Sequence, residues 1–266
     1  MDMFGRVERV ERLSPHMVRV VLGGGGLDDF SPGPWTDGYV NAYFLPACAP
    51  YTVPFDVDAV RALPAAQRPA TRRYSVRRWD PEARELTIDF VVHGDTGVAG
   101  PWAAGARPGD LLQLTGPSGS YSPDSDADWH LMIGDASALP AIAASLAHIP
   151  AGTPVHVLAE VGGPADELRL TSPGDLHVSW LYRDANPGAD DLAVHALDKL
   201  DRPPGRVQAF VHGEAVINRA LRRHLLVDWQ LPREALSVSP YWRRRFTDER
   251  WREVKSGWLR EVEHDA

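Results

Sequence analysis

Over the first 121 residues, apolar and polar positions trade places in short runs broken by glycine and proline. "GRVERVERL", "MVRVVLGG", "GYVNAYFLP", "RRYSVRRWD", "RELTIDFVVHG" and "GDLLQLTGPSGSY" each have the spacing of a strand. Ser14-Pro15 is a turn between the first two. Six short strands with such punctuation predict a small antiparallel β-barrel. "VPFDVDAVRALPAAQRP" interrupts the series and suits a short helix or a loop.

After the polar loop "SPDSDAD" (122–128) the grammar changes. The apolar run "WHLMIGD" leads into the alanine-rich, helix-spaced "ASALPAIAASLAHIP". The runs "PVHVLAEV", "LHVSWLY" and "RVQAFVHGE" follow, the last entering "AVINRALRRHLL". Strands alternating with helices predict a doubly wound α/β layer. The helix over 215–226 would put Ile217, Leu221 and Leu225 on one face and Arg219, Arg222 and Arg223 on another. Trp251, Val254, Trp258 and Val262 recur at helical spacing, with Asp248 and Glu249 in the first turn. The expected organisation is a barrel over 1–124, an α/β domain over 125–235 and a basic helical segment over 236–266.

Composition narrows the function classes. A chain of 266 residues, 44% hydrophobic with nine tryptophans, has enough apolar material for one large or two ordinary packed domains. The net charge of −8 argues against a nucleic-acid binder. Cys48 is the only cysteine, so no disulfide or cysteine-based zinc site forms within one chain. The charged N-terminus does not resemble a secretory signal, and no apolar run reaches spanning length, so a cytoplasmic protein without stable membrane association is expected. Against this acidic background, residues 241–260 carry seven Lys or Arg and three Asp or Glu.

Chemistry concentrates in two stretches of the barrel. In "TRRYSVRRWD" (71–80), strand alternation puts Arg72 and Tyr74 on one face and Ser75 on the other. A guanidinium pairs with a diphosphate, a phenol ring lies on a flat heterocycle, and a hydroxyl or amide bonds its edge. "DFVVHGDTGVAGPWAAGA" supplies an apolar strand, His93 and a glycine turn opening a helix, a pattern suited to phosphate. With Arg72 on a neighbouring strand, the two stretches would converge on one diphosphate. Read alone, the arginines also suit a solvated strand, His93 a structural histidine, and Asp89 either role.

These motifs together resemble the siderophore-interacting proteins, FAD-dependent ferric-siderophore reductases built like ferredoxin reductases. The resemblance rests on Arg72-Arg73-Tyr74-Ser75, on "DFVVHG" followed by Gly97-Val98-Ala99-Gly100-Pro101-Trp102-Ala103, on "RPGD" and "GPSGSY", on "GDASALPAI" and "HGEAVINRALRRHL", and on Tyr241-Trp242-Arg243 before an acidic helix. It assigns FAD contact to Arg72, Tyr74, Ser75 and Val76, to Asp89, Phe90, Val91 and His93, and to Gly97, Val98, Ala99, Gly100 and Trp102. Where the family has Pro and Ser in the phosphate turn, this chain has Val98 and Gly100; where it has glycines around Tyr-Trp-Arg, this chain has Pro240 and Arg245.

The resemblance implies electron transfer from reduced FAD to Fe(III) in a chelate, with Fe(II) leaving because hard oxygen ligands hold it more weakly. No metal site in the protein is needed for that. NADH or NADPH is the expected donor, near Asp135, Ser137 and Glu214, with ferredoxin as the alternative. Arg243, Arg244, Arg245 and Lys255 would form a positive rim for an anionic ferric siderophore, or else the solvated face of a C-terminal helix. Two rival functions remain open from sequence: a flavin reductase serving a biosynthetic oxygenase, and a non-catalytic ferric-siderophore binder.

Overall fold

The computed structural model describes residues 2–94 and 97–263, in two compact units, Met1–Ser122 and Pro123–Ala266. The first contains β1 (Asp2–Ser14), β2 (Met17–Gly23), β3 (Tyr39–Phe44), α1 (Val57–Val60), β4 (Ala70–Ser75), β5 (Arg78–Asp80), β6 (Glu85–Val91), α2 (Ala99–Gly105) and β7 (Leu111–Ser118). Its strands pair antiparallel in the order β4-β3-β7-β1-β2-β6-β5, seven where sequence predicts six. The additional strand comes from "RRYSVRRWD", which breaks into β4 and β5 at Val76-Arg77.

That break closes the barrel. The Val76 amide donates to the Gly38 carbonyl at 2.7 Å, extending the β3 edge, and the Arg77 amide donates to Thr87 on β6 at 3.0 Å. One residue step thus carries the chain from one end of the sheet to the other. Alternate side chains from β2, β3, β6 and β7, among them Val20, Leu22, Ala42, Ile88, Phe90 and Leu114, fill the interior. Each large apolar side chain so buried contributes about 1.5–3 kcal/mol relative to exposure. Asp37 fastens the end of the unit, accepting from the Ser120 and Tyr121 amides at 2.8 and 2.9 Å.

The second unit contains β8 (Trp129–Asp135), α3 (Leu139–Leu146), β9 (Pro154–Val161), β10 (Asp175–Tyr182), α4 (Leu192–Asp198), β11 (Val207–Glu214), α5 (Ala215–Arg223), β12 (Leu236–Trp242) and α6 (Asp248–Glu263). All five strands are parallel, in the order β10-β9-β8-β11-β12. In chain order this is third-second-first-fourth-fifth, so the winding reverses between β8 and β11. Leu221 and Leu225 are buried with Ile217 packed beside them, as the helical spacing requires; α5 itself ends at Arg223 and continues as a π-helical turn.

The expectation of a separate helical segment over 236–266 needs correction. Leu236–Trp242 is the edge strand of the sheet, in parallel register with Ala209–Glu214. Pro240 is tolerated because an edge strand has no partner on its outer side. Only Asp248–Glu263 is helical, seated through Trp251, Trp258 and Val262 against Ala215.

Candidate functional site

In the first unit, the closure at Val76-Arg77 changes how the two predicted stretches meet. Arg72 and Tyr74 pair with Ala42 and Val40 on β3, whereas β6 pairs with β2 and with β5, the far end of the same stretch, so the strand carrying Arg72 does not neighbour β6 as expected. Aromatic packing joins them instead. The Tyr74 and Phe90 rings lie 4.3 Å apart at 43°, and Trp102 packs 5.7 Å from Phe90 and 5.6 Å from Phe44. Phe90 is fully buried, so it supports Tyr74 and Trp102 from below and presents no surface to a ligand. That corrects its placement among direct contacts. Phe44, which packs edge-on to Tyr74, belongs to the cluster and was not anticipated.

Around the cluster, Arg72 is half-buried and donates from Nη1 to the neighbouring Thr71 carbonyl at 2.9 Å. Ser75 and Val76 are buried, and Val91 is half-buried. His93 is exposed, and Asp95 and Thr96 of the turn lie outside the described residues. Gly97 takes φ +83°, a left-handed conformation that favours glycine, with open space where a side chain would stand. Val98 is exposed at the start of α2, where no side chain caps the helix, while Ala99 is buried in the core. At Gly100 an added Cβ would meet the Val91 carbonyl at 3.5 Å, ordinary contact, so the turn has room for the family's serine.

Asp89 lies apart from this group. On β6 it alternates with inward-facing Ile88 and Phe90, and its carboxylate accepts from Arg19 Nε and Nη2 at 2.7 and 2.9 Å. It is a buried ion-pair anchor between β2 and β6, which corrects its assignment to flavin. The remaining donor set fits a flavin dinucleotide: a guanidinium for phosphate, two half-buried aromatic rings for a planar ring system, a hydroxyl, and an uncapped glycine turn with room for an approaching group.

In the second unit, Asp135 and Glu214 end the two strands that flank the reversal, where doubly wound sheets bind ligands. Both are buried and hydrogen-bonded within the chain. Asp135 Oδ1 accepts from the Ser137 amide at 2.8 Å and from its hydroxyl, and Oδ2 accepts from Trp242 Nε1 at 2.8 Å. Glu214 caps α5 by accepting from the Val216 and Ile217 amides at 2.7 and 3.0 Å, while its other oxygen accepts from the Arg244 amide at 2.9 Å. The two carboxylates therefore shape the crevice and fasten the segment after β12 to it. Gly213 makes this possible: at φ +133°, a Cβ would come within 2.6 Å of Asp135 Oδ2. On β9, burial raises the Glu160 carboxyl above its ordinary range, partly offset by Arg183, whose Nη1 lies 3.2 Å away.

His212, beside Gly213, is buried with Nδ1 3.0 Å from the Tyr241 hydroxyl and Nε2 3.0 Å from Ser237 Oγ. Burial, helped by the charge of Lys255, lowers its pKa to about 3, so it is neutral near neutral pH and pins β12 to β11. The expected basic rim is mostly engaged inside the chain. Lys255 Nζ donates to the Pro240 carbonyl at 2.6 Å, Arg244 pairs with Asp190, and Arg243 lies 4.7 Å over the Phe246 ring. Arg245 is exposed and holds φ +67° where the family has glycine. Among the described residues, no group of three or more His, Cys, Asp or Glu is placed to hold a metal ion.

Comparison with known proteins agrees with this architecture. The FAD-binding domain model of siderophore-interacting proteins matches residues 6–121, and the siderophore-interacting protein model matches 127–245. A ferric vibriobactin reductase of Vibrio cholerae is 33% identical, with 93% of this chain and 91% of the relative aligned. The chain belongs to the siderophore-interacting protein family. Another relative, an NADPH-dependent ferric-chelate reductase of Escherichia coli, is 30% identical over 89% of this chain and 91% of its own. The crystal structure of a siderophore utilization protein from T. fusca superposes with a TM-score of 0.80 and 34% identity, covering 93% of this chain and 95% of that one.

Proposed function

We propose that the protein is an FAD-dependent reductase of ferric siderophores that releases iron as Fe(II) in the cytoplasm. The observation that carries this reading is the convergence of Tyr74 and Trp102 on one aromatic cluster, beside the half-buried Arg72 and the open Gly97–Gly100 turn. On this reading residues 1–124 hold FAD, through Arg72, Tyr74, Ser75, Val76 and Trp102 with the turn from Gly97 to Gly100. Bound FAD supplies the chemistry that accepts an electron pair and delivers single electrons to Fe(III). Arg72 neutralises diphosphate charge, the Tyr74 ring orients the planar ring system, and Ser75 or its amide bonds an edge. The pinned rings keep this geometry fixed before binding.

The donor, NADH or NADPH, is assigned to the crevice between β8 and β11 over 125–235. There Ser137, held by the Asp135 carboxylate, is the candidate contact, and Asp135 and Glu214 act through Trp242 and Arg244 rather than by direct contact. The support is the switch-point position and the hydrogen bonding just described. Arg243 and Arg245 are the side chains left to meet an anionic chelate.

The test is purification followed by visible absorbance, then incubation with NADH, NADPH or reduced ferredoxin, a ferric chelate and a ferrous trap. A flavin spectrum with donor-dependent Fe(II) formation supports the proposal. Absence of FAD binding leaves a non-catalytic binder. Donor oxidation without Fe(II) points to a flavin reductase serving an oxygenase.

A further inference from the structure

On the outer face of the barrel, away from the aromatic cluster, strand register lays side chains in two rows. Glu11, Arg19 and Asp89 stand side by side across β1, β2 and β6. Beside them run Arg9, Val21, Thr87 and Arg78 across β1, β2, β6 and β5. The second row has two long cations at its flanks and two short side chains between them. The result is a cavity of about 250 Å³ floored by Val21 and Thr87 and walled by arginines. Such a volume falls below that of pockets for drug-sized ligands, and it is several times the roughly 30 Å³ share of one liquid water.

Charge in the cavity is unevenly compensated. Arg9 is bidentate with Glu85, both bonds 2.7 Å, Arg78 reaches Asp80 at 2.9 Å, and Arg19 takes both oxygens of Asp89. Arg77, also lining the cavity, is left with Asp89 Oδ2 at 4.0 Å, an oxygen already bound by Arg19. Its side chain is only 25% exposed, and among the described residues its guanidinium has no hydrogen-bond acceptor. Burial pulls the Arg77 pKa below its ordinary value, with Asp89 only opposing this, yet an arginine stays charged at neutral pH. A partly buried guanidinium served by water gains charge-assisted hydrogen bonds from an anion that supplies acceptors. Glu11 is the one carboxylate of the lining and works against that anion.

We propose that this cavity binds a small, multiply charged oxyanion, phosphate or a polycarboxylate, with Arg77 as its central ligand and Arg9, Arg78 and the Thr87 hydroxyl around it. The site is independent of the flavin reading. Arg78 is the most exposed of its cations, so its removal perturbs the fold least.

The experiment is calorimetric titration of the FAD-equilibrated full chain with inorganic phosphate and, separately, citrate, at fixed ionic strength set with chloride. Arg78→Gln, Arg77→Gln and Glu11→Gln are compared with wild type, and visible flavin absorbance and melting temperature report folding. Saturable binding of either probe is expected, about tenfold weaker or worse in Arg77→Gln and Arg78→Gln and about threefold tighter in Glu11→Gln. Binding to phosphate alone, or to citrate alone, identifies the source of the oxyanion. Should Arg77→Gln not fold, the opposed shifts in Arg78→Gln and Glu11→Gln decide the matter. No saturable heat with either probe, or equal affinity in wild type, Arg78→Gln and Glu11→Gln, overturns the proposal.

Discussion

The Tyr74 ring rests 4.3 Å from that of Phe90, although their strands lie toward opposite ends of the sheet order and share no backbone ladder. Barrel closure alone brings them together, and the flavin reading depends on that contact. Tyr74→Phe keeps the ring and is expected to retain FAD, whereas Tyr74→Ala removes it and is expected to lower FAD affinity at least about tenfold. Phe90→Ala should cost ~3–5 kcal/mol of stability and weaken FAD binding along with it. Fluorescence titration with FAD and urea denaturation of the three variants separate support from contact.

Gly100→Ser should be accepted without loss of stability, because the new Cβ meets the Val91 carbonyl at an ordinary 3.5 Å. The added hydroxyl restores a phosphate donor and is expected to tighten FAD binding by ~0.5–1.5 kcal/mol. A flavin titration reading unchanged affinity with an unchanged melting temperature would show that the turn does not face phosphate.

Gly213→Ala combines a φ of +133° with a 2.6 Å collision against Asp135. Destabilisation of at least ~2 kcal/mol is expected, against ~1 kcal/mol for Gly94→Ala, which has φ +58° and open space. Urea midpoints of the two variants make the comparison.

Arg245→Gly relieves a left-handed non-glycine residue at φ +67° and should stabilise the protein by up to ~1 kcal/mol. The same change removes an exposed cation, so the KM for an anionic ferric chelate is expected to rise while the KM for a neutral one holds. An unchanged KM for the anionic chelate, or an equal rise for both, would remove Arg245 from the substrate rim.

His212 gives a signed pH dependence. Its folded pKa lies near 3, below the ordinary ~6.5, so the unfolded chain takes up the proton first as pH falls. Stability from this group is present above pH ~6.5 and is lost from there toward pH 3, with a slope approaching ~1.4 kcal/mol per pH unit. Denaturation between about pH 6 and pH 4 should show that slope reduced in His212→Gln by nearly one proton.

Much of this was legible in the chain. The barrel, the parallel layer and the α6 packing face follow from periodicity, which reports burial directly. Strand alternation gives the face of Asp89 but not its partner; Arg19, seventy positions away, takes that carboxylate. The motif that contains Phe90 names residues without telling support from surface. β12 has little local signal, since "LSVSPYW" is half-buried with a proline, a weak alternation that only pairing with Ala209–Glu214 makes definite. The corner at Val76-Arg77 has no local signal, as it is set by hydrogen bonds to Gly38 and Thr87.

The most direct test of flavin-mediated iron reduction is anaerobic. The FAD-loaded protein is reduced with a limiting amount of donor and mixed with a ferric siderophore and a ferrous trap while flavin absorbance is followed. The oxidised flavin spectrum is expected to return with one Fe(II) formed for each electron the flavin loses, and that coupling is expected to be lost in Tyr74→Ala. A reduced flavin that stays reduced in the presence of ferric siderophores, or Fe(II) formation that proceeds without flavin reoxidation, would contradict it.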